Sequence, residues 1–165
     1  MVEITAGLLG ALLGAACTFV VQRLESRRRW RFDLAQELYR TWQSIEHIEA
    51  RVRAYYLLTE NLRSQHPQSF LELATACRAE GRTEDWIAIS RVLHFFEECG
   101  ALLDCAAVDH ALLKHLIGRY VTYWVDGFLH PWWELSTGRD DPRELGWHTP
   151  ISRLRARVGA PQPSR

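Results

Sequence analysis

The chain has 165 residues, and its 20 basic and 20 acidic side chains give a formal net charge of zero at pH 7. This balance excludes a general nucleic-acid-binding surface on bulk charge, so nucleic acid is not an expected partner. The four cysteines show no CxxC pair and no disulfide framework, which is typical of a reducing compartment.

The N-terminal stretch, residues 4–21, contains no charged side chain. A membrane-spanning helix needs ~20 mostly apolar residues, so residues 1–22 are predicted to form a single transmembrane anchor. Only Glu3 is charged before the stretch, whereas several arginines follow it. Since positive charge collects on the cytoplasmic side, we expect the N-terminus outside and the bulk of the chain in the cytoplasm.

Two alternatives for this stretch remain open. A cleaved signal peptide carries its positive charge before the apolar run, which is the reverse of the order found here. A lipoprotein site at Cys17 is a second alternative, because small residues precede that cysteine. However, Gly14 stands where a large aliphatic residue is usual, and the apolar run continues past Cys17, which favours the uncleaved helix.

Small residues recur along the predicted anchor and define a candidate oligomerisation face. One row consists of Ala6, Gly10, Gly14 and Thr18, and a parallel row of Gly7, Ala11 and Ala15. Small side chains let helix backbones approach closely, so this double row predicts a homo-oligomer. Glycine and alanine are also common in membrane helices that do not associate.

The residues that follow the anchor form a candidate membrane interface. They are Arg23, Arg27, Arg28, Arg29, Trp30 and Arg31. Arginines next to a membrane attract anionic headgroups by about 1 kcal/mol each, and tryptophan favours the interface. The simpler interpretation is a topology signal alone. A lipid bilayer with anionic headgroups is therefore a predicted partner.

Residues 23–63 are predicted to form a juxtamembrane segment and a long amphipathic helix. Neither Gly nor Pro occurs from residue 15 to residue 65. One apolar stripe has helical spacing: Leu34, Leu38, Trp42, Ile45, Ile48, Val52 and Tyr55. The helix is expected to run unbroken from residue 4 to 62, or to bend at residues 26–30.

Residues 68–136 are predicted to form a helical bundle. We expect helices over 70–78, from an N-cap at Thr83 to about 103, and from an N-cap at Asp109 to 117. Gly118 is expected to form a hinge or break between that helix and an aromatic helix, 119–134, which Pro131 kinks or restarts. Trp124, Trp132 and Trp133 are expected in the core or at a protomer interface. The tail, 137–165, is predicted to be partly disordered, with a short helix at 151–157.

The block from 91 to 132 resembles a widespread group of small bacterial membrane proteins of unknown function. The similarity lies in the run Phe95-Phe96-Glu97-Glu98 and in Tyr120-x-x-x-Trp124. It implies a membrane helix followed by a cytoplasmic all-helical domain. The architecture is also similar to the membrane accessory proteins of RNA-targeting CRISPR systems, which oligomerise into pores. That likeness implies the bacterial inner membrane, antiphage defence and a defence effector protein as a partner.

The CRISPR likeness also directs attention to a ribonuclease signature, in which arginine precedes histidine by a few residues. Arginine would hold the scissile phosphate and histidine would transfer a proton. Arg40 with His47 and Arg143 with His148 have this spacing. With 19 arginines and seven histidines such matches are expected by chance. On one continuous helix Arg40 and His47 would share a face about 10 Å apart.

The sequence therefore predicts an all-α protein with one transmembrane helix, a long cytoplasmic helix and a small helical bundle. Its leading function is that of a non-enzymatic, oligomeric, pore-forming membrane component. The alternatives are a membrane-tethered scaffold or sensor that binds a protein or nucleotide, and a divergent HEPN-like ribonuclease. No cofactor is predicted, and no metal, although His94 and Glu97 share a helix face.

Overall fold

A computed structural model describes residues 2–136 and 146–159, with side chains over 14–135 and 146–159. Within these ranges the protein is helical and contains no strand, which confirms the all-α prediction. The elements are α1 (Val2–Trp42), α2 (Ile45–Arg63), α3 (Phe70–Ala79), α4 (Thr83–Asp104), α5 (His110–Trp124), a π-helical turn (Val125–Leu129), α6 (His130–Ser136) and α7 (His148–Val158).

The predicted single helix is two helices. α1 continues straight through residues 26–30, and the break lies instead at residues 43–44. Ser44 has an extended backbone, and its hydroxyl accepts a hydrogen bond from the His47 N–H at 3.4 Å, so it acts as the N-cap of α2. The continuous helix to residue 62 was wrong because a serine cap starts a new helix without Gly or Pro.

The break also changes the face that α2 buries. The buried side chains of α2 are Ala50, Ala54, Leu57, Leu58 and Asn61. Ile45, Ile48 and Val52 of the predicted stripe are exposed by 74%, 40% and 52%. The stripe was extrapolated from α1 as though one helix carried it, and the turn at Ser44 rotates α2 relative to that helix.

The helix starts follow local chemistry. Asp109 caps α5 by accepting the Leu112 N–H at 2.8 Å, as predicted. Ser69 and Glu72 form a capping box at the start of α3. Thr83 is the first residue of α4 rather than its N-cap, a position that Arg82 occupies without a side-chain cap.

Gly118 does not interrupt the helix, because α5 runs through this residue from His110 to Trp124. A Cβ at Gly118 would collide with the carbonyl oxygen of Val158, and one at Gly100 would lie 2.6 Å from that of Pro150. Glycine at these two positions lets α7 lie directly against α5 and α4. Its role is close approach rather than flexibility.

Pro131 interrupts the aromatic helix, as predicted, but the irregular turn comes before it. The chain is π-helical over Val125–Leu129, and His130 donates its N–H to the Val125 carbonyl. A proline ring clashes with the carbonyl four residues earlier, which here belongs to Gly127. The wider turn accommodates that clash, and α6 then begins one residue before Pro131.

The core lies between α1, α2, α4, α5 and α7. Trp42 is fully buried against Phe95 at 4.6 Å and Phe96 at 5.1 Å between ring centroids. Trp124, Trp132 and Trp133 are buried too, which confirms their predicted place in the core.

α7 belongs to the bundle as well, and not to a loose tail. Its residues Ile151, Leu154 and Val158 have no exposed surface. The helix is longer than the predicted 151–157 segment, starting at His148. The remainder of the predicted disordered tail, 137–145 and 160–165, lies outside the described residues.

Candidate functional site

The N-terminal part of α1 projects from the bundle. Every described side chain from residue 14 to residue 33 is exposed, and burial begins only at residue 34. Phe19, Val20, Val21 and Leu24 are exposed by 62%, 54%, 53% and 61%. Large exposed apolar side chains at neighbouring positions of one helix are typical of a surface that contacts a membrane or another protein.

The predicted anchor is only partly within the described side chains. In the described part of the chain, no helix has the length and apolar character required to cross a membrane. The side chains of Ala6, Gly7, Gly10 and Ala11, four members of the predicted oligomerisation face, lie outside the described residues.

The other three members of that face are exposed on α1. Gly14, Ala15 and Thr18 have exposed side-chain positions, and a Cβ at Gly14 would meet nothing within 4 Å. The Thr18 hydroxyl donates to the Gly14 carbonyl at 2.8 Å, so this polar group is satisfied within its own helix. The described part of this face is therefore open to a second helix.

The predicted interface residues divide into two groups. Arg27, Arg28 and Arg31 lie with Leu24 on one side of α1, because their spacing of three, four and seven residues is that of a helix face. The second group does not share that face: Arg29 pairs with Glu25 at 3.9 Å, and Trp30 is 57% exposed. Arg23 lies one turn before Arg27 but does not line the cavity that the first group lines.

Arg27, Arg28 and Arg31 line a cavity of about 830 Å³, the basic cleft. Its full lining is Leu24, Arg27, Arg28, Arg31, Leu103, Ala106, Val108, Asp109, His110 and Arg157. The far wall thus comes from the α4–α5 connector and from the end of α7. The α1 arginines were predicted as interface residues because they follow the apolar stretch, but no local pattern connects them with His110 and Arg157.

A second concave surface, the α2–α5 groove, has a volume of about 610 Å³. Its lining is Ile48, Arg51, Val52, Tyr55, Tyr56, Arg119, Tyr120, Tyr123 and Trp124. It was missed because Ile48 and Val52 were assigned to the same stripe as the buried part of α1. The exposed run of Ile45, Ile48, Val52 and Tyr56 would have indicated it.

Two arginines give the α2–α5 groove its charge. The Arg51 guanidinium lies 4.3 Å from the Trp42 ring centroid, and burial lowers its pKa. Arg119 donates to the Tyr120 hydroxyl at 2.7 Å. Burial raises the pKa of Tyr120, but the hydrogen bonds from Arg119 and Gln43, together with the charges of Arg119 and Arg51, leave the pKa below its ordinary value. Among the described residues, neither arginine has a carboxylate within 4.0 Å.

The first ribonuclease pair, Arg40 and His47, does not have the geometry that was predicted for it. Arg40 is exposed on α1 and His47 lies on α2, so the shared helix face was wrong. The His47 ring contacts the edge of Phe95 at 5.7 Å. Burial, followed by the charges of Arg91 and Arg51, lowers the pKa of His47, and Glu46 opposes this shift.

The second ribonuclease pair has no described geometry, because Arg143 lies outside the described residues. His148 is the first residue of α7, and its ring packs against that of Trp133 with 4.9 Å between the ring centroids. His94 and Glu97 form an exposed pair at 3.1 Å. Within the described residues no group of three or more potential ligands could hold a metal.

No protein-family model matches the chain, and neither a curated protein nor a solved structure matches it. The fold and its surfaces define an all-helical chain with a projecting apolar helix, a basic cleft and an aromatic groove. Its function is therefore inferred from the chemistry of these three surfaces.

Proposed function

We propose that this protein is a non-enzymatic, single-pass membrane protein that self-associates at the bacterial inner membrane. The observation that carries the proposal is the exposed apolar side chains at Phe19, Val20, Val21 and Leu24, on a part of α1 that no other described element covers. Burying such side chains is worth ~1.5–3 kcal/mol each, which favours an external apolar environment around this part of α1.

The length and charge order of α1 fit the membrane. Residues 2–33 span about 48 Å as a helix, which exceeds the ~30 Å hydrocarbon core and leaves the bundle beyond the headgroups. The arginines from Arg23 to Arg31 follow the apolar stretch, and this charge order supports a bundle on the cytoplasmic side.

Self-association is proposed through the small-residue face of α1. One helix per chain encloses no lumen, so pore formation requires several copies. The further proposal of a pore-forming accessory in antiphage defence, with an effector protein as partner, is supported by the architectural likeness to membrane accessory proteins of CRISPR systems.

The first test is the mass of the full-length protein in detergent, measured by light scattering. We expect a discrete oligomer that dissociates when Gly10→Ile and Gly14→Ile are combined, because the larger side chains separate the backbones. Leu8→Ile with Leu12→Ile, on the opposite side of the helix, is the matched control and should leave the mass unchanged. A monomeric parent protein, or an unchanged mass in the glycine variant, would overturn the assembly proposal.

Cys17 provides a test inside the membrane. It follows Gly10 by seven residues and Gly14 by three, so it lies on the same side of α1. Cys77 and Cys99 are buried, and Cys105→Ser removes the other exposed thiol. Oxidation of membranes should then give a Cys17-linked dimer that is lost in the double glycine variant. A dimer of equal yield in that variant would contradict the proposed face.

Pore formation is tested separately by release of an entrapped dye from liposomes. We expect release with the parent protein and none with the double glycine variant at equal membrane content. An intact oligomer that releases no dye would contradict the pore and would leave a membrane-tethered scaffold or sensor as the function.

The α2–α5 groove favours that second candidate function, a tethered sensor for a nucleotide. Tyr56 and Tyr123 expose 67% and 52% of their surface, and Arg119 carries a charge beside them. Stacking on such rings contributes about 1–3 kcal/mol per base. Calorimetry with nucleoside monophosphates should show binding that Arg119→Gln weakens and Arg91→Gln, an exposed arginine outside the groove, does not. Absence of binding to the parent protein would exclude the nucleotide.

A further inference from the structure

We propose that the basic cleft binds the phosphate of an anionic lipid headgroup and thereby fixes the bundle against the membrane surface. The inference rests on the proposed membrane function and extends it. Arginines beside a membrane ordinarily act as a diffuse topology signal. Here the fold joins three of them to a second wall, built from residues more than 70 positions later in the chain.

The position of the cleft follows from the register of α1. The side that carries Leu24, Arg27, Arg28 and Arg31 continues along the helix as Ala35, Leu38 and Trp42. Those three residues are exposed by 0%, 4% and 0%. The face of α1 that is buried in the core from residue 35 onward therefore carries arginines in the turns that precede residue 35. These arginines necessarily face the edge of the bundle.

The Asp109 N–H fixes that edge by donating to the Arg31 carbonyl at 3.2 Å. This bond joins the start of α5 to α1 at the base of the cleft. The N-terminus of α5 thus lies at the site, where its helix dipole adds positive potential. The Asp109 side chain accepts the Leu112 N–H at 2.8 Å, so its carboxylate is engaged in the cap.

The charge of the cleft is unbalanced. Its lining contains four arginines, one aspartate and one histidine. Among the described residues, Arg27, Arg28 and Arg31 have no carboxylate within 4.0 Å. Arg157 shares Asp104 with Arg153, each at 3.1 Å, so one carboxylate serves two guanidinium groups. Guanidinium groups bind phosphate oxygens through paired hydrogen bonds, which makes a phosphate the complementary ligand.

The connector that forms the far wall has a strained backbone. Ala106 has φ of 51°, a left-handed conformation that side chains other than glycine adopt at a cost. Its N–H donates to the Leu103 carbonyl at 3.1 Å, and the Ala107 N–H to that of Leu102 at 2.8 Å, as in a Schellman motif. This turn brings Ala106 and Val108 into the lining.

The position of the cleft along α1, close to the end of the apolar stretch, favours a lipid phosphate over a soluble phosphate. Leu24 and Arg31 lie about 4 and 15 Å along the helix from Val21, the end of the apolar stretch. The headgroup layer on each side of a bilayer is about 5–8 Å thick, so a lipid phosphate lies between the levels of Leu24 and Arg27. The long side chains of Arg27 and Arg28 tilt towards the N-terminus of α1, which brings their guanidinium groups within reach of that phosphate. Leu24, Leu103, Ala106 and Val108 supply apolar surface for the glycerol and upper acyl groups.

The test measures binding of lipids to the full-length protein in a neutral detergent. Phosphatidylglycerol and cardiolipin are compared with phosphatidylcholine and with inorganic phosphate. We expect the anionic lipids to bind, with Arg157→Gln weakening their affinity about tenfold, the loss of one charge-assisted contact. Arg153→Gln removes the same ion pair with Asp104 but does not line the cleft, so it should change the affinity less than about twofold.

A second matched pair tests the α1 wall. Arg28→Gln and Arg23→Gln each remove one positive charge from adjacent turns of α1, but only Arg28 lines the cleft. A larger loss with Arg28→Gln than with Arg23→Gln supports the site. Equal losses within either pair would overturn it, because delocalised attraction depends on net charge alone. The far-ultraviolet circular dichroism melt of each variant verifies the fold.

The remaining outcomes separate the two sources of phosphate. Inorganic phosphate that competes with the lipid and shows the same dependence on Arg157 would overturn the lipid as the ligand and uphold a soluble phosphate. Membrane retention is measured in parallel by sedimentation. A protein that leaves the membrane contradicts the proposed function, whereas a retained protein that does not distinguish Arg157→Gln from Arg153→Gln contradicts only the cleft.

Discussion

Two regions of α1 have the same helical geometry and opposite environments. From residue 14 to residue 33 every described side chain is exposed, although Phe19 and Leu24 are large and apolar. From Ala35 to Trp42 the same side of the helix enters the core. Helical pattern alone does not determine burial, since a partner element must also be present. The bundle provides that partner only for the last part of α1, and we propose that lipid and other copies provide it for the rest.

The largest effect expected from this comparison is at Trp42. The ring packs against Phe95 and Phe96, and the Arg51 guanidinium lies over it. Trp42→Ala should lower the free energy of unfolding by about 3–5 kcal/mol, because the cavity cannot be filled by exposed neighbours. Chemical denaturation of the full-length protein in detergent, followed by circular dichroism, measures this loss.

Trp30→Ala is the matched control in the exposed region. With 57% of its surface exposed, Trp30 should contribute within about 0.5 kcal/mol. Similar losses for the two tryptophans would mean that the two regions of α1 do not differ in their packing as described.

Glycines give the second contrast. At Gly118 a Cβ would collide with the Val158 carbonyl, so Gly118→Ala should separate α5 from α7 and cost about 1–3 kcal/mol. At Gly127, an exposed helical position, a Cβ meets nothing within 4 Å, and Gly127→Ala should stabilise the protein slightly through its helix propensity. Thermal melts of the two variants should therefore shift in opposite directions. A stabilised Gly118→Ala variant would contradict the close packing of α7.

The connector beside the basic cleft gives a smaller effect with the opposite sign. Ala106→Gly relieves the left-handed strain and should stabilise the protein by about 0.5–1 kcal/mol. Ala101→Gly, an exposed position within α4, should destabilise it by about 0.5–1 kcal/mol. Denaturation midpoints measure both. Destabilisation by both changes would show that Ala106 is not strained.

The features that could be predicted from sequence depend on nearby residues. The Asp109 cap and the spacing of Trp124, Trp132 and Trp133 needed only local chemistry and periodicity. The break at Ser44 could not be predicted, because serine is tolerated within helices and its role depends on how Trp42 packs. The docking of α7 depends on Gly100 and Gly118, which are more than 30 residues earlier in the chain.

The candidate site shows the same division. The arginines after residue 22 were predicted as a membrane interface, and three of them form one wall of the basic cleft. Arg157 and His110 have no local signal, because only the folded bundle brings them opposite Arg27 and Arg31. For the α2–α5 groove the signal was present but was assigned to the wrong face, since the stripe was carried across a break.

The smallest expected effect concerns His47, directly after the turn that ends the buried part of α1. Burial first, and then Arg91 and Arg51, lower its pKa below the ordinary 6.5. The unfolded chain therefore binds the proton more readily than the folded chain. The contribution of neutral His47 to the free energy of unfolding is fully present above about pH 6.5, and it is lost as the pH falls towards the lowered pKa of the folded state. Between pH 7.5 and pH 5.5 the denaturation midpoint should decrease, and His47→Gln should make this decrease shallower. His66→Gln, at an exposed position, is the control and should leave the slope unchanged. An unaltered slope in His47→Gln would assign the pH dependence to other groups, and the junction between the two regions of α1 would then be insensitive to protons.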